Sequence, residues 1–481
     1  MFGDVEVRRV LSTGLLGGWI GLLLCGCMVG PEYRKPATQV PAAYSELPSD
    51  RRAVAEPTNL AGWWNAFHDP VLTSLVDRAV QSNKDLKIAL ARVREARALR
   101  TIVAADEYPA INASGSYTRT RQSENATSSA STSSMWQDLF QLGLDAGWEV
   151  DLFGGTRRSV EAATADLEAS EEGLRDVMVS LLAEIAVNYM ELRGNQRRIA
   201  IARDNIEAQR QTVELTRAKF QAGLSSELEI AQAEALLSTT ESRVPQFESA
   251  SKKAIHRLGV LLGAGPGALL QELSDPSALP VAPPEIPVGL PSELLRRRPD
   301  VRRAERQLAA ATARVGVATA DLFPRFFLTG NAGWQSVNAS DLISPQSRAL
   351  SFGPSIQWPV FDAGRIRANI RVQNARQEQA LAQYEKTVLA SLEDVENSLV
   401  AYSKEQVTRN HLAQAVDANR RAVEISNELY TKGLVDFLNV LVNQRSLFQL
   451  QEQLALSEQA VCTNLVALYK SLGGGWEDRL P

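Results

Sequence analysis

The chain is written twice, and a duplication of this length decides the architecture before any local pattern does. Asn83-Lys84-Asp85-Leu86 opens a stretch that ends at Asp106-Glu107-Tyr108-Pro109. Arg298-Pro299-Asp300-Val301 opens one that ends at Asp321-Leu322-Phe323-Pro324, 215 positions later. Farther on the displacement is 210: Trp148, Val150 and Gly154 match Trp358, Val360 and Gly364, while Phe220, Gly223 and Leu224 match Tyr430, Gly433 and Leu434. The first copy is therefore five residues longer between Pro109 and Trp148. Two copies of so long a unit, with few catalytic residue types in either, point to a symmetric scaffold or conduit.

Each copy reads as helix, strand pair, long helix, turn, helix. A helix over 84–106 carries Leu86, Ala89, Val93 and Ala96 on one face and stops at Pro109. Alternation then predicts strands over 111–117 and 139–148, flanking a Ser/Thr-rich stretch, and over 326–334 and 351–358 in the second copy. Small and polar residues with aromatics near the ends fit outer-membrane strands; a soluble hairpin is the competing reading. From Gly364 to Tyr430 there is no proline and no internal glycine, so about 65 residues form one helix of roughly 100 Å. Leu381, Tyr384, Val388, Leu392, Val395, Leu399 and Tyr402 make a heptad seam along it. Leu174, Met178, Leu182, Ile185, Tyr189 and Leu192 make its counterpart in the first copy. Such seams commit both helices to packed partners.

Both long helices stop alike. Gly223 and Gly433 suit the left-handed position that closes a helix, and Ser226 with Glu229 reads as a capping box for the next one. Asp436 and Asn439 stand at the equivalent place. Residues 276–291, rich in proline, form an extended connector between the copies.

The net charge of -5 argues against a nucleic-acid partner, which calls for a clustered basic face. His68, His256 and His411 are scattered, without the fixed ligand spacing of a metal site. Gly473-Gly474-Gly475 lacks the Lys and Ser/Thr of a phosphate loop and reads as a flexible turn. Asp85 with Asp300, and Glu393 with Glu396, read as solvated or tunnel-facing charges rather than acid/base pairs. No enzymatic activity and no cofactor are expected. Cys462 lies on an apolar stripe as a buried core thiol.

The N-terminus is a targeting segment, with Arg8-Arg9 before an apolar run from Val10 to Leu24 that is too short to span a bilayer. Leu24-Cys25-Gly26-Cys27 resembles a lipobox, with cleavage before Cys27 and acylation of its thiol; a plain signal peptide is the competing reading. No later stretch reaches membrane-spanning length as a helix. Entry into a membrane would therefore be by strands of a closed barrel. Four strands cannot close one, since small barrels start at about eight. Three chains give about twelve strands above six helical hairpins, a closed cyclic arrangement.

Several blocks carry a family resemblance. Cys27-Met28-Val29-Gly30-Pro31-Glu32-Tyr33, Trp63-Trp64-Asn65-Ala66-Phe67 and Trp148-Glu149-Val150-Asp151-Leu152-Phe153-Gly154 are three of them, and Leu290-Pro291 through Arg298-Pro299-Asp300 is a fourth. Together they resemble the TolC-like outer-membrane efflux proteins, specifically the lipoprotein branch serving RND-type pumps. The resemblance implies a mainly α fold with a small membrane β part: a homotrimer whose transmembrane β-barrel, four strands per chain, continues into a periplasmic α-helical barrel. It implies a signal peptide at 1–26, a lipid-anchored belt segment at 27–66, repeats at 67–275 and 292–472 around the connector 276–291, and a tail at 473–481. It implies a passive duct for drugs or other small molecules in the outer membrane, working with a periplasmic adaptor (membrane fusion protein) and an inner-membrane RND-type pump. By the same resemblance Cys27 is the lipidation site, and Phe220, Gly223, Leu224, Tyr430, Gly433 and Leu434 dock the partners. Glu229, Asp436, Leu438, Asn439 and Val442 line a constriction in which Val442 replaces an acidic residue of many relatives. A duct for protein or oligosaccharide secretion is the alternative, and a trimeric coiled-coil surface protein a remote one. The second copy is expected to control the gate.

Overall fold

The computed structural model describes residues 28–38, 40–45, 60–121, 123, 136–282 and 291–477. Cys27 and the targeting segment lie outside them, as do 283–290 of the connector. The described elements run in the expected order: α1 (Pro70–Ser82), α2 (Lys84–Ala105), β1 (Ala110–Arg121), β2 (Trp136–Val150), α3 (Gly155–Gln221), α4 (Glu227–Glu241) and α5 (Arg243–Leu261). Then come α6 (Leu270–Leu273), α7 (Pro291–Arg297), α8 (Pro299–Ala320), β3 (Arg325–Ser336), β4 (Arg348–Gln357), α9 (Arg365–Thr431) and α10 (Phe437–Ser471). The uninterrupted helix expected after Gly364 is α9, 67 residues long, and α3 matches it in length. The strands extend beyond the predicted segments, because β1 continues through Arg121 and β2 starts at Trp136.

The chain divides into two compact units. The first contains residues up to Ala37, Val93–Ser170 and Ala304–Tyr384, and with them all four strands. These pair antiparallel in the order β1-β2-β3-β4. Ala110 faces Gly147 in the first hairpin and Arg325 faces Gln357 in the second. These partners are displaced by 215 and 210 positions, so the duplication preserves register. The same displacement links two identical anchors: Trp148 Nε1 donates to the Glu107 carbonyl (3.0 Å), and Trp358 Nε1 donates to the Leu322 carbonyl (3.1 Å).

Alternation gives this sheet two unlike faces. Tyr117, Phe140, Leu142, Trp334 and Phe352 share one parity through the register. On the other face Asp145 accepts from Ser114 Oγ (2.8 Å) and Asn331 Nδ2 (2.6 Å), and Ser116 Oγ donates to Gln141 Oε1 (3.1 Å). Strands β1 and β4 each keep one edge unpaired within the described chain. In the same unit the segment after Cys27 is held against α8 and the start of α3. Val29 N donates to the Phe153 carbonyl (3.1 Å), while Tyr33 Oη (3.1 Å) and Lys35 Nζ (2.8 Å) both donate to Glu305.

The second unit holds Thr38–Arg92, Glu171–Arg303 and Glu385–Pro481. Its main core joins the predicted seams: Met178, Leu182, Ile185, Tyr189 and Leu192 of α3 are buried with Val395, Leu399 and Tyr402 of α9 and with Leu465 and Leu468 of α10. Trp64 is fully enclosed, and Trp63 stacks on Tyr469 with ring centroids 5.2 Å apart. Cys462 is buried as expected, donates to the Pro280 carbonyl (3.2 Å), and has its thiol pushed up to about 12, chiefly by burial.

Two expectations are corrected here. Gly473-Gly474-Gly475 is a packed helix terminus rather than a flexible turn. Gly474 N reaches the Tyr469 carbonyl at 3.2 Å, and a Cβ at Gly474 would lie 2.6 Å from Leu60 Cβ. Asp300 is not a solvated charge but the partner of Arg298, which donates to both its oxygens (3.0 and 2.7 Å), to Asp394 (3.0 Å) and to the carbonyls of Ser391 and Ser471.

Candidate functional site

Two helical hairpins of the second unit end in the residues that sequence reasoning assigns to docking and constriction. Their turns are built identically. Gly223 N bonds the Phe220 carbonyl (2.9 Å) and Leu224 N the Lys219 carbonyl (2.8 Å); Gly433 N bonds Tyr430 (3.0 Å) and Leu434 N bonds Leu429 (2.9 Å). This double closure is the Schellman pattern, and it needs a left-handed residue. Both glycines supply one, each with φ of 73°. The turns leave Leu224 and Leu434 strongly exposed.

Phe220 and Tyr430 are equivalent in sequence but not in structure. Phe220 is 44% exposed, whereas Tyr430 is 5% exposed. Tyr430 thus leaves the expected docking set. Its ring packs 5.4 Å from Phe437 within a cluster that includes Val213, Ala233 and Val440. Its hydroxyl donates to Glu229 Oε2 at 2.9 Å, joining the second hairpin to the first. Burial, then the bond to Glu229, pushes its phenol up to about 12. Lys219 completes the contact by donating to the Tyr430 carbonyl, its Nζ 3.8 Å from the ring centre, a cation–π geometry.

The expected capping box does not form, because Ser226 makes no side-chain cap bond and the Glu229 carboxylate is committed to Tyr430. Asp436 likewise caps α10 without a side-chain bond. Leu438, Asn439 and Val442 are exposed together, as the i, i+1, i+4 positions of one helix stripe, while Phe437 and Val440 on the opposite side are buried. The stripe contains no carboxylate.

The first hairpin carries a feature that sequence reasoning missed. Arg203–Glu248 (3.2 Å), Arg210–Glu241 (2.8 Å) and Arg217–Glu234 are ion pairs repeated at intervals of seven residues. All are half-exposed, and each adds little stability. Together they fix the register of α3 against α4 and α5. The spacing of seven was visible in the arginines, but the partners follow only from the turn length. Lys219 and Phe437 were also missed, since their contacts link the two copies across some 200 residues.

The family model for outer membrane efflux proteins matches residues 75–264 and 290–474, one stretch in each copy. Nodulation protein T of Rhizobium leguminosarum bv. trifolii is 32% identical over 463 residues, which cover 95% of this chain and 96% of that protein. The toluene efflux pump outer membrane protein TtgI of Pseudomonas putida is 32% identical over 464 residues, covering 95% of this chain and 97% of that protein. The solved structure of the outer-membrane channel OprN superposes with a TM-score of 0.88 at 40% identity, covering 94% of this chain and all of the other.

Proposed function

Because the chain belongs to the outer membrane efflux protein family, we propose that it is the passive, trimeric exit duct of a tripartite system that expels small organic molecules. It is an outer-membrane efflux channel that extends into the periplasm. In this reading 67–275 and 292–472 are the two repeats of each chain, joined by the connector 276–291. The observation that carries the trimer is the sheet. Its four strands present one apolar and one polar face and keep both outer edges unpaired within the described chain. Edges unpaired in lipid are costly, and small barrels start at about eight strands, so three chains supply a closed wall with its polar face inward. Energy comes from an inner-membrane pump of the RND type, and a periplasmic adaptor meets the hairpin turns.

Leu224 and Leu434 support the docking part, since an exposed apolar residue at each tip offers the adaptor a surface to cover. Replacing both with Asp (L224D with L434D) leaves the trimer intact and removes the chain's ability to restore drug and solvent resistance to a deletion strain. Full resistance with the double variant at normal abundance would remove the turns from docking. The lipid anchor is supported by the strapped segment beginning at Met28, which fixes the following residues beside the end of β2. Intact-mass measurement of the mature protein is expected to give a diacylglyceryl-type increment on Cys27, absent in C27S. An unmodified chain beginning elsewhere would reject the anchor.

A further inference from the structure

The apolar face of the sheet ends in charge at one end only. The parity shared by Phe140, Leu142 and Trp334 runs on through the register to Arg119 and Arg121 in β1, Trp136 and Asp138 in β2 and Arg348 in β4. At the other end, where the helices join the strands, the same parity gives Ile111, Val150, Phe326 and Ile356, while Glu149 and Arg325 belong to the opposite face. The three outer arginines are exposed. Arg119 and Arg121 follow each other on one face of β1, with their guanidinium carbons 5.3 and 5.8 Å from the centre of the Trp136 ring, both in cation–π range. Asp138 accepts from Tyr117 Oη (2.9 Å) and lies 3.6 Å from Arg119 Nε. On this face one carboxylate therefore stands against three guanidinium groups.

We propose that Arg119, Arg121 and Arg348 hold the phosphate of a glycolipid in the outer leaflet of the outer membrane. From Phe140 to Val150 the strand rises roughly 34 Å. At the tilt of barrel strands that gives about 25 Å of apolar height, the thickness of such a band in an outer membrane. The arginines lie just beyond the band on the side away from the helices, level with the outer headgroups. Among the described strand residues none of this parity is basic at the opposite end, so the charge marks one leaflet rather than membrane interfaces in general. Guanidinium forks take phosphate oxygens two at a time. A spacing of two strand residues sets Arg119 and Arg121 about 7 Å apart, near enough for both to reach one phosphate. The Trp136 ring orders both groups beforehand, so binding costs them little freedom. In a closed trimer β4 of one chain meets β1 of the next, and each joint gathers Arg348 from one side with Arg119 and Arg121 from the other.

This site rests on the trimeric barrel reading, so its test reports assembly and lipid separately. The full-length protein, delipidated in detergent, is titrated with a bis-phosphorylated diglucosamine lipid, with the same lipid lacking its phosphates, and with inorganic phosphate, and its native mass is recorded. The phosphorylated lipid is expected to stay on the trimer and the other two to be lost. R119Q with R121Q weakens retention about tenfold or more, as losing charge-assisted bonds requires, and R119K with R121K recovers only part. R348Q, on another strand, weakens it as well and serves if the double variant fails to assemble. Undiminished retention by R119Q with R121Q or by R348Q overturns the site, as does equal retention of the phosphate-free lipid. Inorganic phosphate held as tightly as the lipid overturns the lipid assignment. Arginine-dependent retention on an unmodified chain that is monomeric overturns the trimer and leaves the lipid site standing.

Discussion

Chains carrying Tyr430→Phe conduct in planar bilayers under conditions in which the unmodified channel is closed, and cells producing them admit large antibiotics from outside. The substitution removes one oxygen and keeps the ring that packs on Phe437 and lies beneath Lys219. What is lost is the hydrogen bond to the Glu229 carboxylate, a bond to a charged group whose net contribution is about 1.5–3 kcal/mol. For each latch that shifts the open-to-closed ratio by about tenfold to a hundredfold. Glu229→Gln keeps an acceptor but not the charge and is expected to open the channel less. The pH dependence has a definite sign. Tyr430 titrates at about 12 instead of its ordinary 10.0, so the closed form's advantage is whole below the lower value and disappears as pH rises through the upper one. A Y430F channel as silent as the unmodified one would remove the hydroxyl from gating.

Arg298→Met is expected to destabilise the second unit by about 3–5 kcal/mol, the usual result of stripping one partner from a buried ion pair. Arg298 is the hub between α8, the middle of α9 and the end of α10, through Asp300, Asp394 and the Ser391 and Ser471 carbonyls. Burial works against the Asp300 charge, but the bonds and charge of Arg298 and the Val301 N–H outweigh it and hold the carboxyl below its ordinary 3.8. A lowered carboxyl stabilises the fold above the unfolded value, and that stability is lost as pH falls through the folded one. The unmodified protein therefore loses this contribution below about pH 4, while R298M lacks it at every pH. Arg298→Lys keeps the charge without the two-pronged geometry and recovers only part. Thermal unfolding of the detergent-solubilised protein, followed by helical signal at neutral and acidic pH, measures all three. An R298M protein as stable as its parent would show the network to be incidental.

The parts of the fold written locally were legible in the sequence. The helix bounds follow from Pro109 and Pro324, the seams from leucine and tyrosine spacing, and the turns from Gly223 and Gly433. The strands were placed but drawn short, because Arg119 and Arg121 look like loop residues until Trp136 is seen lying beside them. What failed depended on partners distant in the chain. Ser226 and Glu229 have the spacing of a capping box, yet Glu229 is drawn off by a tyrosine 201 residues away. Phe220 and Tyr430 occupy matching positions, yet only Tyr430 has a hydroxyl to give Glu229 and packs its ring in the cluster with Val213, Phe437 and Val440, so one is displayed and the other buried. Sequence symmetry pointed to the two turns, but the departures from symmetry give their side chains different contacts.

The hairpin turns have a consequence for how such a channel changes over generations. Each is closed by main-chain bonds about its glycine, braced by Ser225 Oγ on the Thr216 carbonyl in the first and by Lys219 on the Tyr430 carbonyl in the second. The residues displayed there, Leu224 in one copy and Leu434 in the other, give the closure only their main-chain N–H, so their side chains are free to drift without loosening the helices beneath them. On the docking reading, a lineage can change its partner by editing two exposed letters per chain, while the scaffold that presents them goes on folding unchanged.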